Sequence, residues 1–198
     1  MTEYIAPPRS RANLREIARQ FRSFLHLENE LYFPIVQVLD VMATLFHDFS
    51  YEIIADAEWV GTSHACTDMR TGCIRIRESV YNSACEGGGR DRMTIAHEIA
   101  HWLLHYSHGF TLQRNFELLP VKSYMDPEWQ AKCLAGELMV DAVLLAGKQP
   151  HEIARLCGVS YAAAQCQFDK TLRFRRWAPG KIPDAFGQCE FSFDNVRS

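Results

Sequence analysis

No stretch of the chain reaches the roughly 18 uninterrupted apolar residues of a membrane-spanning helix, and the opening MTEYIAPPRSRANLREI lacks a cationic flank followed by an apolar run. A cytoplasmic protein is therefore expected. There is no C-x-x-C pair among the seven cysteines, whose odd number fits neither a disulfide framework nor a tetracysteine zinc site, so reduced thiols are expected. Internal repeats and low-complexity tracts are also missing. The three glycines Gly87, Gly88 and Gly89 are not followed by the Lys and Ser/Thr of a phosphate-binding loop, which removes a nucleotide-triphosphate reading. A net charge of -3 argues against a protein that coats nucleic acid over its whole surface. With 47% hydrophobic and 23% charged residues in 198, what is present is a chain that folds, long enough for one domain or one domain with an appendage.

Hydrophobic spacing predicts the elements. Residues 10–26 read as a helix capped by Ser10, with Leu14, Ile17, Ala18, Phe21 and Leu25 on one face. Arg11, Arg15, Arg19 and Arg22 form its other face, read first as solvated and second as the complement of an anionic partner or acidic neighbouring surface. A buried helix follows from Pro34 to Phe46. Residues 49–59 and 72–80 have strand character, and the two are expected to pair as a small antiparallel sheet. Asp91 is placed to cap a helix over 92–107. Residues 109–125 are irregular and long enough to cover a substrate. Asp126 and Pro127 then start a helix that is expected to run to Gly147.

The segment that carries chemistry is His97-Glu98-Ile99-Ala100-His101. Residues four apart stack on one helix face, so two imidazoles can reach one zinc ion while Glu98 projects beside it as general base. A histidine-rich set suits zinc. Chance occurrence is opposed by context, since Ile95, Ile99, Trp102 and Leu103 give this helix a face to bury. A catalytic zinc takes three protein ligands, so one more is required. His105 lies roughly 6 Å further along the helix and is poorly placed. The H-x-x-G-x-x-H extension fails at Leu104 and Ser107. Glu128 and Glu137 both remain open on spacing, with Asp141 able to orient a histidine. The alternative readings are a dipole-favoured carboxylate for Glu128 and a solvated one for Glu137.

The runs RDRMTIAHEIAH (90–101) and EWQAKCLAGELM (128–139) resemble the ImmA/IrrE family of metallopeptidases, a likeness that covers about Tyr51 to Asp141. The resemblance implies an α+β, mainly helical zincin-like core, zinc as cofactor, and Glu128, in its E-x-x-A, as third ligand. It also implies a protein substrate, a helix-turn-helix transcriptional repressor acted on in a stress or mobile-element response. Lys132 and Val140 depart from the family's usual Asn and Pro, and neither is a ligand.

Residues 150–172 read as helix, Gly158 turn, helix, a helix-turn-helix-like appendage (148–198) to a metallopeptidase domain (1–147). Its second helix offers mostly alanine, with Gln165 and Gln167 as the polar candidates and Lys170, Arg173, Arg175, Arg176 and Lys181 following. Packing or substrate docking is favoured over sequence-specific DNA binding. The competing reading of the chain is a non-catalytic DNA- or protein-binding regulator that keeps the peptidase fold.

Overall fold

The computed structural model describes residues 4–106, 113–114 and 120–172. The short strand β1 (Tyr4–Ile5) leads into α1 (Arg11–Phe24), whose start is closed by a reciprocal pair between Ser10 and Asn13. Next comes α2 (Ile35–Leu45), with Pro34 as its N-cap. The strands β2 (Ser50–Ile54), β3 (Ala65–Thr67) and β4 (Cys73–Arg77) follow, then α3 (Glu78–Cys85) and α4 (Gly89–His101). A π-turn over Trp102–Tyr106 extends α4. After β5 (Gln113–Arg114), antiparallel to β1, come α5 (Pro127–Met139), α6 (Pro150–Cys157) and α7 (Tyr161–Gln167), the last continued by a second π-turn. The class is α+β.

The sheet departs from the expected antiparallel pair. Its order is β2-β4-β3, with β2 parallel to β4 (Tyr51 opposite Ile74) and β3 antiparallel on the other side (Thr67 opposite Ile74). Parallel strands need a long return connection, and residues 55–72 supply one that contains β3 itself. Alternation in β4 predicts which side chains are buried, Ile74 and Ile76, but carries no information on strand direction. The strand also ends at Arg77 and not at Val80, because Val80 and Ala84, four apart, are buried on one face of α3.

Helix ends were partly as expected. Asp126 accepts from the Glu128 amide with Pro127 in the first turn, Ser160 accepts from the Ala163 amide, and Gly158 takes a left-handed φ of 59°. Asp91 is not the cap of α4. The helix starts three residues earlier than expected, at Gly89 after Gly88, and the Asp91 carboxylate instead accepts from the Ser83 hydroxyl at 2.6 Å. α5 stops at Met139 and does not run to Gly147, since Asp141 turns back to accept the amides of Val143 and Leu144.

One apolar core joins Leu14 and Phe21 of α1, Leu39 of α2, Ile74 of β4, Ile95 and Ile99 of α4 and Leu134 of α5 with Ile153, Cys157, Val159 and Ala164 of the C-terminal pair. α4 runs through it. Its first turn is pressed so closely on Val159 and Ser160 that a side chain at Gly89 would collide with their backbone. Arg92 crosses the core to donate to the carbonyls of Phe33 and Cys157 while its guanidinium lies 3.6 Å from the Tyr32 ring centroid, and burial pulls its pKa down to about 10.

The arginine face of α1 is not solvated as a whole. Arg11 and Arg15 donate to Glu137 of α5 at 2.9 and 2.8 Å, and Arg22, 1% exposed, donates to the carbonyls of Leu138 and Glu30. Arg19 alone of the four keeps the exposed character first read for them, beside Glu16. The acidic neighbouring surface was inside the molecule.

Candidate metal centre

The site forms where α4 lies against α5. Helical periodicity puts His97 and His101 one turn apart on the same face, and their Nε2 atoms approach to 3.1 Å. The capped start of α5 presents Glu128 to both: Oε2 lies 3.4 Å from His97 Nε2, and Oε1 lies 3.2 Å from His101 Nε2. Among the described residues these three form the group of donors able to hold a metal ion, and no cysteine joins them. The donor set fits zinc. Ligand bonds of about 2.0–2.1 Å at tetrahedral angles place donor atoms about 3.3 Å apart, which is the spacing found here. The two imidazoles hydrogen-bond the Glu128 carboxylate and hold its pKa far below the usual carboxylate range.

Glu98 is adjacent in sequence but has a different role open to it. It is 8% exposed, and its Oε2 accepts from Thr67 Oγ1 at 2.8 Å, the same hydroxyl standing 3.2 Å from the Glu98 carbonyl. One strand residue thus orients the carboxylate of the residue that follows His97. Thr67 was not found by sequence reasoning, and nothing in the short run Ala65-Cys66-Thr67 marks it.

Glu137, left open as a third ligand, does not reach the site. Nine residues along a helix is about two and a half turns, so Glu137 points from the opposite face of α5 to Glu128, toward Arg11 and Arg15. That phase was available in the sequence. Among the described residues Asp141 meets no histidine, and it closes the turn after α5. His108, and most of 109–125, lie outside the described residues.

His105 is buried at 3% exposure, with Nε2 3.4 Å from the Pro127 carbonyl and its ring 5.5 Å from that of His101. It sits on the π-turn, which leaves it directed at the first turn of α5 and not at the other donors. Burial first, and then the charge of His101, push its pKa down to about 4. The folded state thus disfavours the imidazolium. Stability from this group is complete above the unfolded value of about 6.5 and is lost as the pH falls from there toward 4. Urea midpoints measured with chelator present should correspond to a loss of about 2 kcal/mol between pH 6.5 and 4.5. His105→Leu should flatten that part of the profile; an unchanged slope would assign the loss to other groups.

In the C-terminal pair, Gln167 is 6% exposed and accepts from Arg11 at 3.1 Å, and Gln165 donates to Asp169. Gln167 faces α5, where it crowds Gly136, and is not presented to a partner. Lys170 is described, while Arg173, Arg175, Arg176 and Lys181 lie outside the described residues. No helix among the described residues is long and apolar enough to cross a membrane.

No protein-family model and no curated protein matches the chain. Among solved structures, a Mycobacterium tuberculosis transcriptional regulator is similar, with a TM-score of 0.54 over 81% of this chain at 12% identity. The chain spans about half of that regulator's length, 49%. At that identity, the likeness is one of fold alone.

Proposed function

We propose that this chain is a zinc-dependent endopeptidase of narrow specificity, built on a zincin-like core, with His97, His101 and Glu128 as ligands and Glu98 as general base. The observation that carries this reading is the triangle of donors 3.1–3.4 Å apart, with Glu98, the residue after the first ligand, buried and held separately by Thr67. A metal site alone would serve a structural role, but such a site has no need of a Glu98 aimed by Thr67.

When bound, zinc would supply Lewis acidity, polarising a scissile carbonyl and easing deprotonation of the attacking water. Glu98 accepts that proton and returns it to the leaving amine, and Thr67 keeps the carboxylate from turning away. Substrate backbone has a place to pair, since β3 is bonded to β4 on one side and lies at an edge of the described sheet beside α4. The substrate proposed is a helix-turn-helix transcriptional repressor, supported by the resemblance of residues 90–101 and 128–139 to the ImmA/IrrE peptidases. The C-terminal helices, packed into the same core with Gln167 turned inward, are given a packing or docking role.

The test is metal content. Protein purified without chelators should carry about one zinc per chain, and His97→Ala little, by elemental analysis. Wild-type protein that stays metal-free after zinc is supplied would replace this reading with the non-catalytic regulator.

A further inference from the structure

A cavity of about 430 Å³ opens beside the donor triangle, and His97 is part of its wall. It follows the groove between α4 and α5 and ends against Gln167 of α7 and Lys170 of the π-turn that continues it. The α4 side is made by one helix face, Arg90, Met93 and Thr94 leading up to His97. On the α5 side, half-buried Trp129 gives an apolar wall, and Lys132 lies one turn beyond Glu128.

Charge distinguishes this cavity. Its lining holds Arg11, Arg90, Lys132 and Lys170 and no carboxylate. Arg11 is engaged with Glu137 and Gln167. The other three are exposed. Arg90 meets the His64 ring at 2.8 Å, Lys132 is 3.9 Å from Glu128, and Lys170 has no ion-pair partner among the described residues. In a protein of net charge -3, a basic apolar-walled cavity continuous with a metal-binding histidine needs an explanation of its own. Of the two cysteines in its lining, Cys133 offers no nucleophile, since burial pushes the thiol up to about 12, and Cys166 is exposed at the α7 end.

We infer that this cavity is the specificity subsite of the peptidase, and that it takes an acidic side chain, Asp or Glu, of the substrate, held by Arg90, Lys132 and Lys170 over the Trp129 wall. The inference rests on the peptidase reading and adds to it the class of residue selected. Arg90 is about two helical turns from His97, roughly 10 Å. Extended peptide covers that distance in about three residues, so the acid lies within about three residues of the scissile bond. A peptide suits the cavity better than a phosphate backbone does, because the cations surround an apolar pocket and do not line a track.

The probes are N-acetylated, C-amidated alanine-leucine peptides in which one Glu is moved a position at a time, each matched to its Gln counterpart. Binding is read by fluorescence anisotropy on the full chain carrying Glu98→Gln, and cleavage by mass spectrometry on the wild type. Glu peptides are expected to bind about tenfold tighter than Gln peptides, and the ratio should fall to about one in Arg90→Gln/Lys132→Gln/Lys170→Gln. Because these side chains are exposed, the triple variant should retain the wild-type melting temperature, and the ratio is internal to each protein. A Glu preference in binding without cleavage by the wild type would sustain the subsite and sink the peptidase. Cleavage with no Glu preference would do the reverse. Equal binding of the matched peptides, or a loss in the triple variant confined to a random-sequence DNA duplex, overturns the subsite.

Discussion

Glu98→Gln is expected to slow peptide-bond hydrolysis by a factor of about 10² to 10⁴ while leaving the zinc content at the wild-type level. Gln is nearly the same shape and its amide oxygen can still accept from Thr67, so the side chain should stay where Glu98 is. What it loses is the ability to take a proton. Glu98 is outside the donor triangle of His97, His101 and Glu128, which is why metal and turnover should separate in this variant. Thr67→Val, which removes the orienting hydroxyl but not the base, should give a smaller fall in kcat, again with metal retained. The informative readouts are single-turnover cleavage and elemental analysis on the same preparations. If Glu98→Gln relieves repression in cells as fully as wild type, catalysis is not the mechanism and the regulator reading takes over.

The second large effect is on stability. Arg11→Ala/Arg15→Ala should cost about 3–5 kcal/mol, because it strips two guanidiniums from a carboxylate whose side chain is 1% exposed. Glu137→Leu alone should cost much less. The two arginine side chains are 23% and 30% exposed and can turn to water, whereas Glu137 has no such escape. Adding Glu137→Leu to the double variant should then recover most of the loss, since an apolar side chain suits the site that an ion left. Urea midpoints at constant m-value give all three numbers. A double variant within about 1 kcal/mol of wild type would show that these ion pairs do not hold α1 to α5.

The structure makes this pair of helices part of the site's foundation. Glu128 and Glu137 share α5, so the contacts that fasten one face of the helix to α1 also set the other face against His97 and His101. Loss of the arginines should therefore lower zinc affinity as well as stability, although neither arginine belongs to the donor group.

The local part of this arrangement was legible in the chain. The four-residue spacing of His97 and His101, with Glu98 beside the first, needs only a helix to put two imidazoles together, and helix geometry is set by neighbouring residues. Caps at Ser10, Asp126 and Ser160 and the turn at Gly158 were readable for the same reason, each being a contact within a few residues. Even the exclusion of Glu137 was there, as a phase difference along α5. Longer-range matters were decided by the tertiary structure. The pairing of Arg11 and Arg15 with Glu137, the burial of Arg22 against Leu138, the parallel pairing of β2 with β4, the hydroxyl of Thr67 on Glu98, and the approach of Glu128 to both histidines all join residues far apart in the chain. Pattern and propensity specify which face of an element seeks cover; which element covers it depends on how the connecting segments return, and only packing settles that.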